Sequence, residues 1–198
     1  MRGLSSDRYA RAVASIDAAN AADPTVVVVA GVPQPLAQAH GRLASAWVAR
    51  LLDPAPDTAL LAARAHHLRR WVVPRASYPA DRPGYLRWRR DQKARHAVEV
   101  AELLDEAGYG PTDIARVQAS IRREGLGTDA ETQAVEDAAC LVFLETQLAE
   151  VSTRLDRSHL CEVIRKTARK MSPAGLALVA EVPLGPAERA LLAEALDG

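Results

Sequence analysis

Residues 133–147 (Gln-Ala-Val-Glu-Asp-Ala-Ala-Cys-Leu-Val-Phe-Leu-Glu-Thr-Gln) constrain this chain more than any other stretch. Every residue from 138 to 144 is apolar, and a helix that is apolar on all sides belongs inside a protein. Glu136 and Asp137 enter that helix immediately before the apolar run. A carboxylate carried toward a core needs a cation, a metal ion or hydrogen-bond donors, because unpaired burial of charge is costly. The rest of the sequence is therefore read for what meets these two acids.

The other elements follow from periodicity and punctuation. Asp7 is placed to cap a first helix to about Asn20, with Tyr9, Val13 and Ile16 on one stripe. Residues 26–30 form the one strongly β-prone run, expected to be a buried extended connector without a pairing partner. Helices are expected over about 35–52, 57–70, 84–107 (closed by Gly108), 111–125, 129–155 and 158–171. Short helices should follow Ser172-Pro173 and Gly185-Pro186. Between 71 and 83, three prolines enforce a loop that also carries Trp71, Arg75, Tyr78 and Arg82. No repeat or composition shift marks a second domain, so 1–198 is read as a single all-α bundle of about eight or nine helices.

Zero net charge argues against a general nucleic-acid or membrane field. The distribution is uneven, however: residues 64–95 hold ten Arg or Lys against two acids, which suits a small anionic ligand. Cys140 and Cys161 fall within apolar helical patterns and read as small buried hydrophobes, in keeping with a reducing cytoplasm. No apolar run approaches the length of a membrane span.

Four positions on three expected helices stand out: His67, His96, Glu136 and Asp137, with His40 and His66 beside them. Imidazole and carboxylate are the usual ligands of divalent transition metals, and helical bundles build such sites from inward-facing side chains. The expected metal ligands are His67, His96 and Asp137, joined by His40. Glu136 is expected as general base or ligand orienter, and both acids as catalytic. Arg70, Arg75, Arg82 and Arg89, with Tyr78, are candidates to hold an anion, since the guanidinium fork matches phosphate oxygens.

The series from His67 to Asp137 resembles the HD-domain metal phosphohydrolases, which carry a His, a His-Asp doublet and a distant Asp on helices. Here the doublet is His66-His67, so the Asp of that doublet is missing. A second resemblance rests on 63–71 (Ala-Arg-Ala-His-His-Leu-Arg-Arg-Trp), Pro74-Arg75, Tyr78-Pro79, Arg82, Gly84-Tyr85-Leu86, Trp88-Arg89 and His96, then Glu136-Asp137 and 140–145. These blocks resemble the domain-of-unknown-function family numbered 4202. That resemblance implies a helical fold and carries over Arg70, Trp71, Trp88 and Gln133 beside the residues above, without an activity.

Two functions are compatible with these features. The first is a metal-dependent, HD-like hydrolase of a phosphate ester or nucleotide. The second is a non-catalytic helical module that binds an anionic small molecule or protein through the basic aromatic loop.

Overall fold

The structure, a computed structural model, describes residues 2–197, with side chains from 7 to 196. Among the described residues there are ten α-helices and one two-stranded sheet. After helix α1 (Arg2–Asn20) come strands β1 (Val26–Val29) and β2 (Val32–Pro35), then helices α2 (Leu36–Leu51) and α3 (Asp57–Ala65). Two 3₁₀ turns, Arg70–Val72 and Arg75–Ser77, lead into α4 (Arg82–Glu106) and α5 (Pro111–Arg122). The chain continues through α6 (Ala130–Thr146), α7 (Leu148–Arg154), α8 (Arg157–Ala168), α9 (Pro173–Leu178) and α10 (Pro186–Asp197).

Helices α2, α3, α5 and α6 pack on one another at the centre, with α4 against α5 and α1 across α3 and α4. The apolar run of α6 is buried as expected: Ala138, Leu141, Val142 and Leu144 are all inside, beside Val48, Leu61, Leu104 and Ile121. Asp129 caps α6 by accepting a hydrogen bond from Thr132 N at 2.7 Å. Cys140 and Cys161 are buried and unpaired with each other. No helix among the described residues is long and apolar enough to cross a membrane.

Several expected boundaries are corrected. Residues 26–29 are neither a buried connector nor without a partner: Val26 and Val28 are exposed, and β1 pairs antiparallel with β2, Val26 opposite Pro35 and Val28 opposite Pro33. The partner strand was hidden by its two prolines, which a two-stranded edge tolerates where no N–H has to be donated. Ala30 and Gly31, both with positive φ, make the turn. Helix α3 stops at Ala65, so His66 and His67 sit in the turns after it, and Arg69 adopts a left-handed φ of 48°. Asp81, not the glycine before Tyr85, starts α4, accepting from Gly84 N at 2.7 Å. The helix expected over 129–155 breaks at Gln147 into α6 and α7, and the helix expected from 158 begins at Arg157, capped by Asp156.

The hairpin is fastened to α2 by one carboxylate. Pro35 at the head of α2 has no side chain to cap it. Asp23 supplies the cap from before the hairpin, accepting from Ala37 N and Thr25 N, each at 2.9 Å. Helices α2 and α3 approach so closely at Gly41 that a Cβ there would meet the backbone carbonyl of Arg64. Alanine is the better helix former, but the Arg64 backbone cannot turn aside as a side chain would. Gly41→Ala is expected to destabilise the fold by about 1–3 kcal/mol, measured by chemical denaturation; a variant as stable as the parent would show that the two helices can part.

Candidate functional site

The loop after α3 is held almost entirely by its backbone. Asn20 at the end of α1 accepts from Arg69 N at 3.0 Å. From α4, the Gln92 amide donates to the carbonyls of Arg70 (3.0 Å) and Val73 (2.6 Å), and Arg95 donates to the Arg69 carbonyl at 2.8 Å. Trp88 donates its indole N–H to the Val73 carbonyl at 2.9 Å. Gln92 is buried, so its two bonds are made in a dry environment where they fix geometry strongly.

Between this loop, the base of the hairpin and the head of α2 lies a cavity of about 180 Å³. Its walls are Leu36, Ala37, Pro74, Trp71 and Trp88, with Asp23, Thr25, His67 and Arg70 as the polar lining. The Arg70 guanidinium lies over the Trp88 indole, 4.4 Å from the ring centroid. It is half-buried, and burial followed by the neighbouring Arg89 charge brings its pKa down to about 10. The phenol of Tyr85 acts in its favour and Arg95 against it; no carboxylate figures among these neighbours. Asp23 lines the same cavity, but both its oxygens are engaged by backbone N–H groups. Arg70 is thus a half-buried cation beside a cavity, with no carboxylate partner among the described residues.

Four histidines surround this cation. His40 and His67 meet Nδ1 to Nδ1 at 3.4 Å, and the His66 and His67 rings lie 4.0 Å apart. Burial is the main cause that holds His40 at about 4 and His96 at about 3, with Arg70 adding to both. His66 and His67 are likewise well below the ordinary range, again chiefly through burial. His96 also feels the adjacent Arg95 charge, and neither ring nitrogen has a hydrogen bond of good geometry among the described residues. All four rings are neutral at pH 7.

The expected ligand set is only partly brought together. His40 and His96 both lie close enough to His67 to act on its charge. Asp137 is buried, as expected of its position, but its oxygens accept from Gln133 Nε2 (2.8 Å), Ser172 N (3.0 Å) and Ser172 Oγ (2.5 Å). Ser172 in turn caps α9, and a Cβ on Gly175 would collide with the Asp137 carboxylate. Asp137 therefore joins α6 to α9 instead of facing His67 or His96. Among the described residues, no three His, Cys, Asp or Glu side chains converge in a way that could hold a metal ion.

The remaining candidates have separate tasks. Glu136 pairs with Arg123 at 2.5 Å; burial opposes its ionisation, but Arg123 outweighs it and the pKa is lowered. Arg75 donates to the carbonyls of Tyr78 (2.9 Å) and Pro79 (2.6 Å), and Tyr78 donates to Asp91 at 3.0 Å, so both tie down the loop. Arg82 and Arg89 are exposed on α4 and do not line the cavity. Of the expected anion-binding residues, Arg70 alone lines it. Asp23, Thr25, Leu36 and Ala37 were not singled out as site residues. The only trace in the sequence was an Asp-Pro before a β-prone run, which reads as a helix stop.

The neutral histidines make stability depend on pH in one direction. Their folded pKa values lie below the 6.5 of an unperturbed imidazole, so the unfolded chain takes up protons first as pH falls. The stability is complete above about 6.5 and is lost on descent to about 4 for His40 and about 3 for His96. The melting temperature is expected to fall across that window, and His96→Leu to flatten the fall; a profile unchanged in the variant would show that His96 is not the titrating group. Separately, Asp137→Ala strands Ser172 and Gln133 and is expected to cost about 1–3 kcal/mol in a denaturant titration. A neutral result would show that the α6–α9 joint is dispensable.

No curated protein and no solved structure matches the chain. A family model does, over residues 10–192, which takes in every residue of the cavity and of the histidine cluster. The chain belongs to the family described as Domain of unknown function (DUF4202).

Proposed function

We propose that the protein binds a small organic anion in the Arg70 cavity. The observation that carries this reading is the half-buried guanidinium with no carboxylate partner among the described residues, set against Trp88 in a mainly apolar hollow. An arginine offers five N–H donors and no acceptor, so it asks for acceptor oxygens from whatever fills the space. Arg70, with no carboxylate partner among the described residues, beside the engaged carboxylate of Asp23 favours a monoanion. At about 180 Å³ the cavity is below the roughly 300–1,000 Å³ of drug-sized sites, so the ligand is small and partly apolar. Calorimetric titration with a panel of aromatic monocarboxylates tests this. Arg70→Gln is expected to weaken binding at least tenfold, the loss of a charge-assisted hydrogen bond. The same variant should melt no lower than the parent, because it removes an uncompensated, partly desolvated charge. Binding that ignores this substitution, or no binding across the panel, would sink the proposal.

A second reading, metal-dependent and HD-like hydrolysis of a phosphate ester, draws on the neutral imidazoles of His40 and His96, both close enough to His67 to act on its charge, although no three such side chains among the described residues are grouped to hold an ion. Such rings have the protonation state that a divalent ion requires. In that reading these three would be ligands with Asp137, and Glu136 a base. The ties of Asp137 to Ser172 and of Glu136 to Arg123 count against the last two roles. Elemental analysis of protein purified without added metal separates the readings: a stoichiometric transition metal, lost in His67→Ala with folding retained, selects the hydrolase.

A further inference from the structure

The hydrogen bonds behind the cavity fix which nitrogen of His67 carries its proton. Thr146, at the end of α6, has its hydroxyl 2.7 Å from the Val142 carbonyl, an acceptor only, so the single hydroxyl proton goes there. The same oxygen lies 3.0 Å from His40 Nε2 and must accept from it, which places the His40 proton on Nε2. A neutral His40 then has a bare lone pair on Nδ1. His67 Nδ1, 3.4 Å away, has to donate to it. The proton of neutral His67 is thereby spent on His40, and its Nε2 is left as an acceptor. That nitrogen is on the side of the ring away from His40, which is itself fully buried, and His67 is part of the cavity lining.

From this relay we infer that His67 Nε2 is a fixed proton acceptor of the Arg70 cavity, positioned by Thr146 and His40. The ligand is then a small anion that also carries a neutral hydroxyl or N–H donor; this inference rests on the anion-binding reading above. The cavity offers a donor fork on Arg70 and a lone pair on His67, and a hydroxy acid has the complementary pair. A plain carboxylate leaves the lone pair unpaired in a partly dry site, a known source of discrimination. An ammonium group in place of the hydroxyl would be repelled by Arg70.

Two measurements on the full chain test this. Long-range ¹H–¹⁵N correlation of ¹⁵N-histidine-labelled protein at neutral pH reads the tautomers directly. Nε2–H on His40 and Nδ1–H on His67 are expected; Nε2–H on His67 overturns the inference. Calorimetry then compares mandelate, in both enantiomers, with phenylacetate, which lacks only the hydroxyl. The better mandelate enantiomer is expected to bind about fivefold to tenfold more tightly. That preference should shrink toward unity in Thr146→Val, a near-isosteric change that removes the oxygen accepting from His40. Equal binding of both acids, lost in Arg70→Gln, overturns the His67 acceptor and leaves the anion cavity standing. A preference that persists undiminished in Thr146→Val overturns the relay. Binding of neither acid overturns the cavity and, with it, this inference.

Discussion

The cation of Arg70 is held half-buried with no carboxylate to meet it among the described residues, and the backbone on either side of it is clamped in place. Indole contact with Trp88 recovers part of the lost hydration. The rest is imposed by backbone clamps, Asn20 on one side and Gln92, Trp88 and Arg95 on the other, acting on residues 69–73. Arg69 is driven into a left-handed conformation in the process.

The carboxylates near this region are, by contrast, occupied. Asp23 caps α2 and pins the hairpin, Glu136 neutralises Arg123, and Asp137 anchors the start of α9. Each is buried with donors supplied, the condition under which a buried acid is tolerated. This division leaves the cavity short of negative charge. It also accounts for the neutral histidines: desolvation lowers their affinity for protons, and Arg70 lowers it further. Arg70 among neutral imidazoles is a self-consistent arrangement, since a protonated ring beside it would add a further positive charge in a partly desolvated place.

The basic surplus between 64 and 95 is not one binding surface. Arg64 pairs with Asp17, Arg95 with Glu99, and Arg75 is spent on loop carbonyls. Counting charges along the chain could show that a surplus existed, but not that Arg70 alone would reach a cavity without a partner. The difference between Arg70 and Arg75 is a matter of which backbone oxygens happen to lie within reach, and those come from turns that sequence patterns describe poorly.

The sequence by itself determined the helical architecture, the burial of α6 with Asp137 inside it and the two buried cysteines. These follow from apolar periodicity and from the energetic demands of buried polar groups, which are local properties. The tertiary structure alone decided that Asp137 faces Ser172, that Asp23 crosses from one side of a hairpin to cap α2, and that His40 and His67 meet through Nδ1. Each depends on a chain reversal: the end of α3 at Ala65, the proline-bearing strand β2, or the break at Gln147. At such points a few degrees of backbone rotation redirect a side chain to another partner, and side-chain type and spacing along the chain carry no record of the choice.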